Sequence, residues 1–290
     1  MAHSKYINPF TDFGFKKIFG EEANKDILID FLNAILPEED QIKTLEYKQQ
    51  EQLARRDVDR KAIYDLYCEN EKGEKFIVEL QRAKQEFFKD RTLYYATFPI
   101  QEQAERGTDW KYQLKGVYVI GLMNFTFDSS AEFHHNIKLR DEKGNTFYDK
   151  LSFVYLELPK FSKPLTEQST LFDKWIYAIK NMPNLDNIPP LLQERTFKKL
   201  FKISEYSAMN ETDKVSYEES LKTFRDYVNT LDQAKEEGII EGMEKGMEKG
   251  KKEQAIETAK NLLKLKLNLT IEQIAESTGL SIDEVKNIQQ

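Results

Sequence analysis

The chain has 290 residues with 50 acidic and 43 basic side chains, and its formal net charge of −7 excludes a surface coated in positive charge while leaving room for a local basic groove. Hydrophobic residues make up 40% and aromatic residues 12%, enough for an enzyme-sized core, and no apolar run approaches the ~20 residues of a membrane span. The single cysteine, Cys68, excludes an intramolecular disulfide and a CxxC zinc site; with an N-terminus lacking the basic start and apolar core of a signal peptide, it sets the expectation of a cytoplasmic protein.

In chain order, residues 8–20 (NPFTDFGFKKIFG) predict a short helix with Phe15, Ile18 and Phe19 on its apolar face. Asp12 caps it or lies in its first turn, and Gly20 ends it. Residues 24–36 place Ile27, Leu28, Phe31, Leu32 and Ile35 at helical spacing, with Asn24 as N-cap and Pro37 as the stop. Residues 42–50 predict a strand, and the charged LARRDVDRK leads into the centre of the chain.

That centre is residues 61–85, KAIYDLYCENEKGEKFIVELQRAKQ, which predict two strands joined by a polar, glycine-containing turn at 70–74. On the first strand Ile63, Asp65 and Tyr67 alternate with Ala62, Tyr64, Leu66 and Cys68. On the second Ile77, Glu79 and Gln81 alternate with Phe76, Val78 and Leu80. A period of two puts Glu79 and Gln81 on one face, and a hairpin brings Asp65 and Glu79 close enough to share a divalent cation. The plain alternative is a polar outer face on an exposed hairpin. Apolar flanks on both sides of each acid (IYDLY, FIVELQ) favour a central strand instead, where an unpaired charge is disfavoured. A hard cation such as Mg²⁺ takes few carboxylates, keeps water and binds substrate phosphate.

Residues 86–106 predict a helix kinked at Pro99 and ended by Gly107; residues 114–125 predict a buried strand; IKLR and FVYLEL within 132–160 predict two more around a turn at 141–145. This order makes an α/β sandwich. From Thr166 the pattern is helical: LFDKWIYAIKNM, a helix opened by Pro189 and Pro190 and running through Phe201, and a third from Asp213 towards Gly238. Gly238, Gly242, Gly246 and Gly250 then recur every four residues, either a helix with a smooth stripe or a flexible charged linker. The tail predicts two helices about Thr278 and Gly279, resembling a small helix-turn-helix. Its acidic surface suits oligomerisation or autoregulation better than DNA readout. The expected organisation is a core over 1–160, a helical extension over 161–235, and a glycine-repeat and helical tail over 236–290. Adjacent His134 and His135 point to opposite faces of a strand and cannot clamp one metal. No Walker or Rossmann glycine loop and no G-x-S-x-G elbow occurs.

FTDFGFKKIFG, NKDILIDFLNAIL, YDLYCEN, FIVELQRA and FFKDRTLYYA, in this order and with D-x13-E-x-Q across the hairpin, resemble the PD-(D/E)XK nuclease superfamily. More closely, they resemble its recombination-promoting nucleases (the Rpn family), also labelled transposases. The resemblance implies a restriction-endonuclease-like α/β core, a mixed β-sheet flanked by helices, followed by a helical C-terminal region. It implies a metal-dependent DNA endonuclease leaving a 5′-phosphate and a 3′-hydroxyl, with DNA as partner. The acidic helical tail adds the expectation of self-association through the C-terminal region, and the lack of a long apolar run that of no membrane. Asp65 and Glu79 match the two acids and would ligate Mg²⁺, with Mn²⁺ as a substitute, helped by the Leu80 carbonyl. Gln81 stands where the superfamily usually has lysine and would orient the attacking water; Lys84 or Arg91 would restore the missing charge. Asp12 matches the acid of the first helix and would act on a metal indirectly, unless it is a plain helix cap. Arg91 and Tyr95 match positions where a phosphate contact is expected, against a surface ion pair and a core tyrosine. The rival expectation is a catalytically degenerate nuclease fold acting as a DNA- or protein-binding module, favoured by Gln81 and the negative net charge.

Overall fold

In the computed structural model, which describes residues 4–49, 51, 52, 62–104, 111–265 and 269–289, helices cover both faces of a mixed β-sheet. Helix α1 (Asp12–Phe15) opens at Thr11, whose hydroxyl accepts from the Gly14 N–H, and runs into a π-turn over Lys16–Gly20. Thr11 is therefore the cap, and Asp12 lies in the first turn. A Cβ on Gly14 would stand 2.2 Å from the Asn8 carbonyl oxygen, so only glycine permits this approach. Helix α2 (Lys25–Ile35) buries Ile27, Leu28, Phe31, Leu32 and Ile35 and ends before Pro37. Asn24 occupies its N-cap position, but the side chain turns back and donates to the Lys17 carbonyl at 2.9 Å. It satisfies the π-turn, not the start of α2.

The strand predicted over 42–50 shortens to β1 (Leu45–Tyr47), and β2 (Glu51–Gln52) pairs with β3 (Ala62–Ile63) in a separate two-stranded sheet. The first hairpin strand is broken. β4 (Leu66–Asn70) starts after Asp65 and pairs antiparallel with β5 (Lys75–Gln81), Gly73 in the turn taking a φ of +78°. Ala62 and Tyr64 lie on the same side of the sheet as Tyr67, whereas Leu66 and Cys68 face the other way. The chain thus changes face at the break, which the unbroken alternation in the sequence does not reveal.

Helix α3 (Phe88–Glu102) follows β5, starting later and ending earlier than expected; its predicted stop at Gly107 lies outside the described residues. β6 (Val117–Met123) runs parallel to β5 and to β8 (Thr146–Glu157), and β7 (His134–Arg140) closes the edge antiparallel to β8. The sheet order is β1-β4-β5-β6-β8-β7, so β5 is interior and every one of its seven residues is buried. Phe76, Val78 and Leu80 join the larger core with α2, α4 (Leu171–Asn181) and α5 (Arg195–Ile203). Ile77 joins the smaller core under α3 with Tyr64, Tyr67, Phe88, Val117 and Tyr155. Glu79 and Gln81 share the parity of Ile77 and lie beneath α3.

Helix α4 starts with a capping box between Thr170 and Asp173 and buries Trp175, whose indole N–H donates to Asp30 at 2.7 Å. Pro189 and Pro190 precede α5 in a turn instead of opening it. Residues 1–224 form one compact unit and residues 225–290 a second. Helix α6 (Glu211–Lys264) is 54 residues long and continuous through all four repeat glycines, so the repeat is helix and not linker. In the second unit, α7 (Ile271–Thr278) and α8 (Ile282–Gln289) bury Ile274, Ala275, Leu280 and Val285 with Ala259 of α6, about Gly279 at a φ of +73°.

Candidate active site on the interior strand

The β4–β5 ladder stops at the Leu66–Val78 pair, and the Asp65 side chain takes the next donor of β5. Its Oδ2 accepts from the Leu80 N–H at 2.7 Å, while its own N–H donates to Glu79 Oε1 at 3.2 Å. Glu79 Oε2 accepts from Gln81 Nε2 at 3.0 Å, and Gln81 Oε1 accepts from the Arg91 guanidinium of α3. Because arginine can only donate, this contact sets the amide: carbonyl towards Arg91, NH₂ towards Glu79. The structure thus brings Asp65, Glu79, Gln81 and Arg91 into one hydrogen-bonded line. Glu79 is 6% exposed and Gln81 5%.

Two contacts hold α3 over this line: the Tyr64 hydroxyl donates to the Tyr95 carbonyl at 3.1 Å, and Thr92 Oγ1 and the Tyr155 hydroxyl are 2.7 Å apart. Within α3, the Arg91 guanidinium lies 5.7 Å from the Tyr95 ring centre. Gly121 stands opposite Glu79 in the parallel register, and a Cβ there would come within 3.0 Å of the Tyr155 ring. The absence of a side chain at Gly121 leaves room for the Tyr155 ring. Tyr64, Thr92, Gly121 and Tyr155 escaped the sequence reading; the only signal was a glycine interrupting the apolar run of β6.

Burial pushes the Glu79 carboxyl up to about 8, the neighbouring Asp65 charge adds to this, and the Asp65 N–H, Arg91 and Gln81 oppose it. Asp65 is also raised, first by burial and against the pull of the Leu80 N–H; Asp12 raises it further, and Lys16 and Arg82 lower it. Burial, then the Glu79 charge, raise Tyr95. Asp12 is exposed and ion-paired with Lys16 at 3.0 Å, and its charge acts on Asp65 through space. It lines a cavity of about 380 Å³ with Phe13, Lys17, Ser216 and Ser220. Leu66 packs against Gly20, where a Cβ would meet Leu66 Cδ2 at 3.1 Å, and this sets the π-turn beside the start of β4. Lys84 reaches the Phe127 carbonyl at 3.5 Å, whereas Arg91 is the cation that meets Gln81. The Arg91 Nε is buried with no hydrogen-bond partner among the described residues.

His134 and His135 do face apart, yet His135 meets Glu157 of β8, 22 positions away, at 2.6 Å. His134 instead packs on Phe172, and burial lowers its pKa. Sequence spacing gave no sign of either contact.

Residues 9–234 match the family model described as PD-(D/E)XK nuclease family transposase. No curated protein and no solved structure matches the chain. Among the described residues, no helix is long and apolar enough to cross a membrane. The matched stretch contains the whole six-stranded sheet, the Asp65–Glu79–Gln81 line and the helices on both faces. The chain belongs to the PD-(D/E)XK nuclease family transposases.

Proposed function

We propose that this protein is a cytoplasmic, metal-dependent DNA endonuclease in which Asp65 and Glu79 hold a divalent cation, Mg²⁺ with Mn²⁺ as a substitute. The observation that carries the reading is Glu79, a buried carboxyl bonded to the backbone of a second acid and raised to about 8 by burial and by that acid. The two carboxylates repel, and the Arg91 guanidinium, whose charge opposes this at Glu79, donates to Gln81. An all-oxygen donor pair of this kind fits a hard divalent ion. When bound, such an ion polarises a phosphoryl oxygen and lowers the pKa of a water.

The chain's own residues supply positioning and charge. Gln81 uses one amide hydrogen to hold the Glu79 carboxylate and has a second with which to orient a water. Arg91, anchored by Gln81 and the Tyr95 ring, supplies beside Glu79 the positive charge that a lysine at 81 would otherwise bring. Asp12 tunes Asp65 through space. The second unit is proposed as a self-association element. Ile239, Met243 and Met247 are exposed on α6, and a Cβ on any of the four repeat glycines meets nothing within 4 Å. A second copy can approach closely there.

The rival is a degenerate fold that binds without cutting, which the absence of lysine at 81 favours. Supercoiled-plasmid nicking by the purified chain with Mg²⁺, Mn²⁺, Ca²⁺ or EDTA separates the two. The proposal expects nicking with Mg²⁺ and Mn²⁺ and none with EDTA; binding without nicking under every ion supports the rival.

A further inference from the structure

Glu157, the last residue of β8, has a fully buried side chain, and polar groups from three segments meet it. Its Oε2 accepts from the Phe127 N–H at 2.8 Å. Its Oε1 is 2.6 Å from His135 Nε2 and 2.7 Å from Lys160 Nζ, and Lys160 is 2.7 Å from Asp128 Oδ1. Asp128 is itself oriented by the Ser130 N–H and hydroxyl, at 3.0 and 2.8 Å. One ligand atom each from Asp128, His135 and Glu157 lies within 4.8 Å of the other two. With the imidazole neutral, two carboxylates facing one ammonium leave this group short of one positive charge, around a carboxylate withdrawn from water.

We infer that Asp128, His135 and Glu157 form a second cation site, distinct from Asp65 and Glu79, which takes a first-row transition ion such as Zn²⁺ in place of the Lys160 ammonium. An imidazole with two carboxylates selects this class over Mg²⁺. Donors about 2.1 Å from a tetrahedral ion lie about 3.4 Å apart. His135 and Glu157 therefore open slightly, and the more exposed Asp128 moves in. The Nε2 proton that His135 shares with Glu157 leaves to solvent on binding, and the ring stays neutral with a proton on Nδ1, so Nε2 offers a lone pair; Lys160 keeps its proton and swings to solvent. The register Gln81–Met123–Glu157 sets the site at the same end of the sheet as Gln81. Two strand spacings, about 10 Å, separate them, too far for a paired-ion mechanism. The ion would instead pin the loop carrying Phe127, whose carbonyl accepts from Lys84 and whose ring lies 5.2 Å from the Lys89 ammonium.

The test uses the full chain carrying Asp65→Asn and Glu79→Gln, stripped with EDTA and titrated with Co²⁺ and Zn²⁺. One Co²⁺ per chain with visible d–d absorption is expected, displaced by Zn²⁺. His135→Ala should weaken it at least about tenfold, and Lys160→Met should tighten it about tenfold by removing the competing ammonium. Should neither the double variant nor its Lys160→Met derivative bind Co²⁺, the group is an ion-paired cluster only and the inference falls. The readout is binding, so it stands or falls apart from nuclease activity.

Discussion

The Tyr64 hydroxyl donates to the Tyr95 carbonyl, the acceptor that Pro99 leaves without its helical partner. A residue adjoining Asp65 thus repairs the proline-broken turn of the helix carrying Arg91, and couples the acid to the arginine.

Tyr64→Phe should strand that carbonyl and cost about 1–3 kcal/mol in urea unfolding. Pro99→Ala supplies an N–H to the same carbonyl, so the loss should shrink in the double variant. An unchanged loss in the Pro99→Ala background would show that the hydroxyl matters for another reason.

Stability should fall with pH when divalent ions are absent. Glu79 is raised from 4.5 to about 8, so between these values the native state keeps a proton that the unfolded chain has released, and its contribution to stability declines as pH rises. Melting temperatures in EDTA should show this slope; Glu79→Gln, or Mg²⁺ bound at the pair, should flatten it. A slope that persists in Glu79→Gln assigns the effect to other groups.

How legible all this was depends on the range of the contacts. The alternation of β5 placed Glu79 and Gln81 on one face because both neighbours of the strand are packed. The break at Asp65 was hidden, since it arises from a side chain capturing a backbone donor 15 positions away. Glycine every turn, at about 1 kcal/mol each, made a linker credible. The segment is nevertheless helical, and pairs such as Glu241–Lys245 and Lys249–Glu253 run along it. Asp128, His135 and Glu157 carried no local pattern at all.

Truncation before Gly238 should leave residues 1–237 folded, because the core residues of the first unit lie within 1–224. Circular dichroism and thermal unfolding of the truncated chain should show one cooperative transition, and sedimentation should show weaker self-association. Loss of the transition would make the C-terminal segment part of the core.

Gln81→Ala should slow cleavage ~10–100-fold while leaving ion affinity nearly unchanged, because it removes an orienting amide and not a ligand. Gln81→Lys should cut faster than Gln81→Ala, since it returns a donor and a positive charge beside Glu79. Equal rates for the two variants and the parent would remove Gln81 from the chemistry.

The most direct measurement is the single-turnover cleavage rate, at saturating protein and Mg²⁺, of the parent chain beside Asp65→Ala and Glu79→Ala. Each substitution is expected to abolish cutting in a chain whose circular dichroism is unchanged. Cleavage at the parental rate by either folded variant would contradict the assignment of the pair.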